Sequence, residues 1–266
     1  MAAFSVKGVC IGQGRPRTIV PLLDAELGTL LASARRAVAA GADCVEWRAD
    51  FWADPHDAGT LMHVASELVA ALPTTPVIAT LRTKDQGGRL VADDEEYQRL
   101  VRALIWGGAD IVDVELSAGG HASDYVVREL VEDAQRVGLH AIVSQHDFKR
   151  TPPAWQMERT LLSAVGVGAD IAKLAVMATC DADAMRLMGT TSRVAQTVRT
   201  PLLTMAMGPA GGITRLTGES FGSTMTFCAL GEASAPGQIG LAQATAALDA
   251  LHVALAGRNG PAGATR

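Results

Sequence analysis

Apolar residues follow two rhythms along this chain. One is helical: Leu27, Leu30, Leu31, Ala34 and Val38, then Tyr97, Leu100, Val101, Leu104 and Ile105, then Val126, Leu130, Ala134 and Val137. Recurrence every three or four residues is the stripe that a surface helix turns toward a core. The other rhythm is nearly continuous, in short apolar runs at 18–22, 44–48, 77–81, 111–116, 141–144, 171–176, 202–206 and 224–230. Such runs predict parallel strands covered on both faces. Eight strands, mostly separated by helical stretches, fit an α/β (β/α)8 TIM barrel. An open doubly wound sheet has the same periodicity and stays as the alternative fold.

The punctuation agrees. Gly41-Ala42-Asp43, Gly108-Ala109-Asp110 and Gly168-Ala169-Asp170 each follow a helical stretch and precede an apolar run, and Gly138 stands in a similar place. Glycine tolerates the left-handed turn that closes a helix, so each tripeptide reads as a helix end and a short loop into a strand. Residues 5–14 read as a short N-terminal hairpin or plug; Gly12-x-Gly14 is too short for a phosphate loop. At 266 residues and 48% hydrophobic composition, one barrel over residues 1–256 is expected, with 257–266, rich in Gly and Ala, as a disordered tail.

Charge and cysteine narrow the partners. The formal charge is −5 with no basic run, so nucleic acid and anionic membrane are poor partners. No apolar run has the length of a membrane span, and residues 1–10 lack the form of a secretory signal. Cys10, Cys44, Cys180 and Cys228 are widely spaced, as expected of buried reduced thiols in a cytoplasmic protein rather than a zinc site or disulfide framework. The carboxylates and histidines show no metal-ligand spacing.

Candidate chemistry gathers where barrel strands end, which is where this fold carries its sites. The second strand ends Glu46-Trp47-Arg48-Ala49-Asp50, the third in Arg82, and the fourth carries Asp113 and Glu115. The fifth ends Gln145-His146-Asp147, the sixth contains Lys173, and Arg215 follows the seventh. Glu46 and Arg48 share a strand face. Together they can grip a polyhydroxylated ligand as acceptor and donor, or form a structural ion pair that closes the barrel.

Lys173 stands inside an apolar strand, Ile171-Ala172-Lys173-Leu174-Ala175-Val176. A buried lysine can simply snorkel or pair with a carboxylate. However, four of the 23 basic residues are lysine and the other nineteen arginine, so the chain uses arginine where charge alone is wanted. Arginine forms no imine, whereas a desolvated amine does. Burial and nearby arginines are expected to leave more of Lys173 neutral. His146, one strand away, is the candidate general acid–base.

These segments resemble the type I 3-dehydroquinate dehydratase family. The likeness rests on Glu46-Trp47-Arg48, Arg82 with Gly87-Gly88, His146-Asp147-Phe148 with Thr151-Pro152, and Lys173-Leu174-Ala175-Val176-Met177. It continues through Met207, Arg215-Leu216-x-Gly218-Glu219, Phe221-Gly222-Ser223 and Ala233-Ser234-Ala235-Pro236-Gly237-Gln238. It spans nearly the whole chain in order. The resemblance implies a (β/α)8 barrel that dehydrates 3-dehydroquinate to 3-dehydroshikimate through an imine, a shikimate-pathway step toward aromatic amino acids. It implies no metal or organic cofactor, and a homodimer. By position, Lys173 matches the imine-forming lysine and His146 the acid–base. Glu46, Arg48 and Arg82 match residues that hold ring hydroxyls; Arg215, Ser234 and Gln238 match residues around the carboxylate. Residues 231–238 match a segment that closes over the site.

Two departures stand out. Members of the family carry a glutamate, placed to orient the histidine, where this chain has Gln86; Asp147, Asp85 or Glu115 are the candidate substitutes, or the histidine is less basic. Pro21 replaces a serine and is left out of the site. Two other readings are carried forward. A class I Schiff-base aldolase would use the same lysine with a phosphate cradle, for which Ala210-Gly211-Gly212 is the candidate. A catalytically inactive barrel acting as a binding protein would form no covalent adduct.

Overall fold

The computed structural model describes residues 2–116, 124–231 and 235–256. The proposed tail at 257–266 lies outside the described residues. A two-stranded hairpin, β1 (Phe4–Val6) and β2 (Val9–Ile11), comes first, as expected of the plug. Then strands and helices alternate: β3 (Arg17–Leu22), α1 (Leu27–Ala39), β4 (Cys44–Arg48), α2 (Ala58–Ala71), β5 (Val77–Thr80) and α3 (Asp94–Trp106). The pattern continues with β6 (Ile111–Glu115), α4 (Asp124–Arg136), β7 (His140–Asp147), α5 (Ala154–Gly166), β8 (Ile171–Met177), α6 (Asp181–Thr197) and β9 (Leu202–Met207). Two short helices, α7 (Gly212–Leu216) and α8 (Gly218–Phe221), precede β10 (Met225–Ala229), β11 (Ile239–Gly240) and α9 (Leu241–Ala256).

Strands β3 to β9 pair in chain order, all parallel, and β10 pairs with β3. The circle closes between β9 and β10 by a substitute for a ladder. Leu202 bridges Ser223, the Thr224 N–H donates to the Leu202 carbonyl at 2.8 Å, and the Ser223 hydroxyl sits between the N–H and carbonyl of Thr204. This is the (β/α)8 barrel, and the open sheet is set aside. Strand β11 is an addition that periodicity did not announce: two residues running parallel to Cys228 and Ala229. Strand β7 runs further than its apolar core at 141–144, because Gln145, His146 and Asp147 keep the ladder with β8 although they are polar.

The Gly-Ala-Asp repeat acquires a physical role. Gly41, Gly108 and Gly168 all have positive φ and close helices. The alanines are buried, and each aspartate reaches back to the start of an earlier strand. Asp43 accepts the Thr18 N–H, Asp110 the Val77 N–H and Asp170 the Ala141 N–H, each at 2.8 Å. Thr18 and Ala141 are second in their strands and Val77 first, and the carboxylates satisfy N–H groups at these strand beginnings. Lys7 of the hairpin donates to Asp110 at 2.8 Å and to the Leu72 carbonyl, tying the plug to the barrel floor.

All four cysteines are free. Cys44 and Cys228 are buried, but the expectation of buried thiols fails at Cys180, which is exposed, and at Cys10, half-buried. Cys180 precedes the first turn of α6 on the surface, and Cys10 lies in the plug outside the barrel proper. Among the described residues no helix is long and apolar enough to cross a membrane.

Candidate active site

Alternation on the strands builds the site. Going up the inside of the barrel, each of β4 to β8 presents an apolar residue and then at least one polar one. Strand β4 presents Cys44, Glu46 and Arg48; β5 presents Ile78 and Thr80; β6 presents Ile111, Asp113 and Glu115. Strand β7 presents Ile142, Ser144 and His146, and β8 presents Ile171, Lys173 and Ala175. Cys44, Ile78, Ile111, Ile142 and Ile171 form one apolar layer with Val6 and Ile11 of the plug beneath it. The layers above are polar yet buried, so their groups must satisfy one another.

Lys173 is only 3% exposed. Its Nζ donates to Asp113 Oδ2 at 2.8 Å, lies 3.8 Å from Glu46 Oε1, and sits 4.6 Å from the Phe227 ring centroid. Its direct partners are carboxylates, because β6 and β4 present acids at its level, while Arg48, Arg82 and Arg215 line the same pocket. Asp113 also accepts from Arg82 at 2.9 Å and from the Ser144 hydroxyl at 2.5 Å. Burial by itself would raise the Asp113 carboxyl, but Arg82 and then Lys173 hold it well below the usual carboxylate range. Arg82 donates to Glu115 at 2.9 Å, and Glu115 also accepts from the Thr83 N–H and hydroxyl. Although burial alone would lower it, Arg82 is raised by Asp113 and Glu115 and stays a cation. Glu46 accepts from Thr80 at 2.9 Å.

His146 lies above Ser144 on the same face. The Gln86 Oε1 accepts from its main-chain N–H at 2.9 Å and lies 3.0 Å from Nδ1. Burial, then Arg82 and Lys173, push the imidazole well below its ordinary value. The carboxylates suggested as stand-ins are engaged elsewhere or face outward. Glu115 is held by Arg82 and Thr83, Asp147 accepts from the Lys149 and Arg150 N–H groups, and Asp85 is exposed. Phe148 stacks beside the imidazole at 6.3 Å between centroids.

Glu46 and Arg48 do not pair with each other. Arg48 is gripped through Nε and Nη2 by Asp50 at 2.8 and 2.7 Å, and Asp50 also accepts from the Arg82 and Arg89 N–H groups. Arg215, brought in by α7, is 2% exposed, and among the described residues its Nε and Nη1 have no hydrogen-bond partner. Its Nη2 reaches only the Pro236 carbonyl, at 3.4 Å. Burial lowers it to about 10. These side chains share one pocket with about 510 Å³ of empty space. Lys173, His146, Glu46, Arg48, Arg82, Gln86 and Phe148 line it together with Arg215, Ala235 and Gln238, with Met205, Met207 and Phe227 as apolar wall. Ser234 lies outside the described residues, and Pro21 is absent from this lining. Within the candidate aldolase cradle, Gly211 is buried with no room for a side chain against the Ala206 carbonyl, and neither Gly211 nor Gly212 reaches the pocket.

Reading the sequence alone left three residues out of the site. Asp113 has no role in the sequence reading; an acid on the inner face of a strand two places from the buried lysine's strand is the available signal. Asp50 was likewise visible two residues after Arg48. The Phe227 contact follows from barrel closure, which local sequence does not display.

The architecture and this pocket define a β/α barrel with an amine, an imidazole and, on the same pocket, a guanidinium two of whose nitrogens are unpartnered among the described residues. The chain belongs to the type I 3-dehydroquinase family, whose model matches residues 18–254. A 3-dehydroquinate dehydratase of Klebsiella pneumoniae is 37% identical over 94% of this chain and 98% of its own. A 3-dehydroquinate dehydratase of Listeria monocytogenes is 37% identical over 93% of this chain and 97% of its own. Among solved structures, 3-dehydroquinate dehydratase from Geobacillus kaustophilus superposes with a TM-score of 0.89 at 31% identity, covering 95% of this chain and 97% of that one.

Proposed function

We propose that this protein is a hydro-lyase that dehydrates 3-dehydroquinate to 3-dehydroshikimate through an imine on Lys173. One observation carries the reading: one pocket is lined by a buried amine and by a buried guanidinium with two nitrogens that have no partner among the described residues. A substrate with a ketone and a carboxylate matches both. The named relatives, all 3-dehydroquinate dehydratases, support the same substrate.

The steps follow from the groups present. The neutral amine of Lys173 adds to the ketone carbon, and loss of water gives a protonated imine. That cation draws electrons from the neighbouring C–H, and His146 removes the proton to leave an enamine. The enamine expels the β-hydroxyl, which takes a proton from His146 and leaves as water. A second water then hydrolyses the imine, releasing the enone and restoring the amine. The net change is loss of one water. Asp113 and Glu46, already at the amine, stabilise its cationic forms. Arg48 and Arg82 with Glu46 hold ring hydroxyls, while Arg215 takes the carboxylate with Gln238 on the same pocket wall. The segment that the family resemblance expects to close over the site, 231–238, lies partly outside the described residues. The reading also carries a shikimate-pathway role and a cytoplasmic homodimer.

The test is to add 3-dehydroquinate and follow absorbance of the conjugated enone. With borohydride present, a substrate adduct should map to Lys173 by mass spectrometry. Folded protein that gives neither signal is an inactive barrel, and this reading is then wrong. Turnover of sugar phosphates instead would favour the aldolase, which the packed-in Gly211 argues against.

A further inference from the structure

The atoms around His146 fix more than its position. A main-chain N–H can only donate, so the Gln86 atom 2.9 Å from the His146 nitrogen must be the amide oxygen, not the amide nitrogen. The same oxygen lies 3.0 Å from Nδ1. An amide oxygen can only accept, so Nδ1 must carry a proton to make the second bond. In the neutral ring Nε2 then keeps its lone pair. The arrangement is built, not incidental. Gln86 is 2% exposed and ends the short turn Lys84–Gln86. Its neighbour Gly87 has φ +82°, and Phe148, stacked beside the imidazole, fills the space where a Cβ would stand.

An amide orients an imidazole without adding charge. The charged groups that act most on the ring are Arg82 from the loop after β5, Lys173 from β8, Asp113 from β6 and Arg48 from β4, with Glu46 of β4 on the same pocket. Of the four that act most, three are cations and one is an anion, and that anion is already bound by Arg82 and Lys173. Asp147 and Glu115 are turned to other donors.

We propose that Gln86, the positioning residue that holds His146 as the Nδ1–H tautomer, keeps the resting imidazole uncharged into mildly acidic solution because it is a neutral amide where the family has a carboxylate. The kinetic consequence rests on the dehydratase reading; the tautomer is a property of the resting protein. A carboxylate at the same place would accept the same two N–H bonds and also stabilise the imidazolium. The chain should therefore stay active further into acid than a Gln86→Glu variant.

The experiment uses the full chain with isotope-labelled histidine, observed by nitrogen NMR across a pH series, beside the pH profile of kcat. Unmodified protein should show a protonated Nδ1 and unprotonated Nε2 at neutral pH. Gln86→Glu should keep that tautomer and move both the imidazole titration and the acid limb of kcat upward by about one pH unit or more, with KM little changed. A protonated Nε2 in the unmodified protein would overturn the assignment. So would a Gln86→Glu variant whose titration and acid limb do not move. If the expected tautomer is seen but no form of the protein turns over 3-dehydroquinate, the tautomer assignment stands and the functional reading falls.

Discussion

Arg215→Met tests the site through two quantities that should move in opposite directions. Arg215 is buried, and among the described residues its Nε and Nη1 are unpartnered. Burial lowers its guanidinium to about 10, against an ordinary value of 12.5. At about 1.4 kcal/mol per pH unit, holding the charge in the folded state costs about 3 kcal/mol. The sign follows from linkage. Below pH 10 the group is protonated both folded and unfolded, so the full cost is present at neutral pH. It lessens only between about 10 and 12.5, where the unfolded chain binds more protons than the folded one.

Methionine keeps much of the apolar stem and removes the charge. Allowing for lost packing, the variant should gain about 1–3 kcal/mol in stability. For a domain of this size that is about 2–10 °C in Tm. Substrate binding should suffer in the same variant. A carboxylate bound by two charge-assisted hydrogen bonds in a site the fold has already desolvated gains about 3–5 kcal/mol from them. Their loss should raise KM, and lower kcat/KM, by about a hundredfold to several thousandfold. Calorimetry with and without a carboxylate product analogue reads the first quantity, and enone absorbance reads the second. An unchanged KM would remove Arg215 from the carboxylate site. A lower Tm in the variant would mean that the guanidinium is paired in the resting protein.

Three further outcomes are expected. Lys173→Ala should abolish borohydride trapping while circular dichroism stays native; an adduct that persists would place the nucleophile elsewhere. His146→Ala should still form a trappable imine slowly but lose turnover, with kcat down by about 10²–10⁴, and full activity would refute its acid–base role. Asp110→Ala removes the acceptor of the Val77 N–H and the partner of Lys7, far below the pocket. It should destabilise the fold by about 1–3 kcal/mol by chemical denaturation and leave KM unaltered, since the strand floor and the mouth are separate layers.

How far the sequence revealed the site depends on which kind of element holds each residue. Strand positions have a period of two, so Glu46, Arg48, Asp113, Ser144, His146 and Lys173 could all be placed on one inner surface once eight parallel strands were inferred. What periodicity lacks is the level at which neighbouring strands meet. Lys173 stands opposite Ser144 and Asp113 opposite Ile142 in the β6–β7–β8 registers, and it is this stagger that sets the amine against a carboxylate. The arginine-rich composition singles out Lys173 as an amine, yet it says nothing of the acid that meets it. Loop residues have no period at all. Gln86 sits on a single turn of helix, and Arg215 on a five-residue helix whose apolar neighbours read like any other surface. Their roles were legible only through the family resemblance, and even that could not show which Gln86 atom meets His146. The determining fact there is the main-chain N–H of His146, which demands an acceptor whatever residue stands at position 86. Backbone hydrogen bonding thus decides the chemistry of the side chain above it, a dependence that becomes visible only when the third dimension is known.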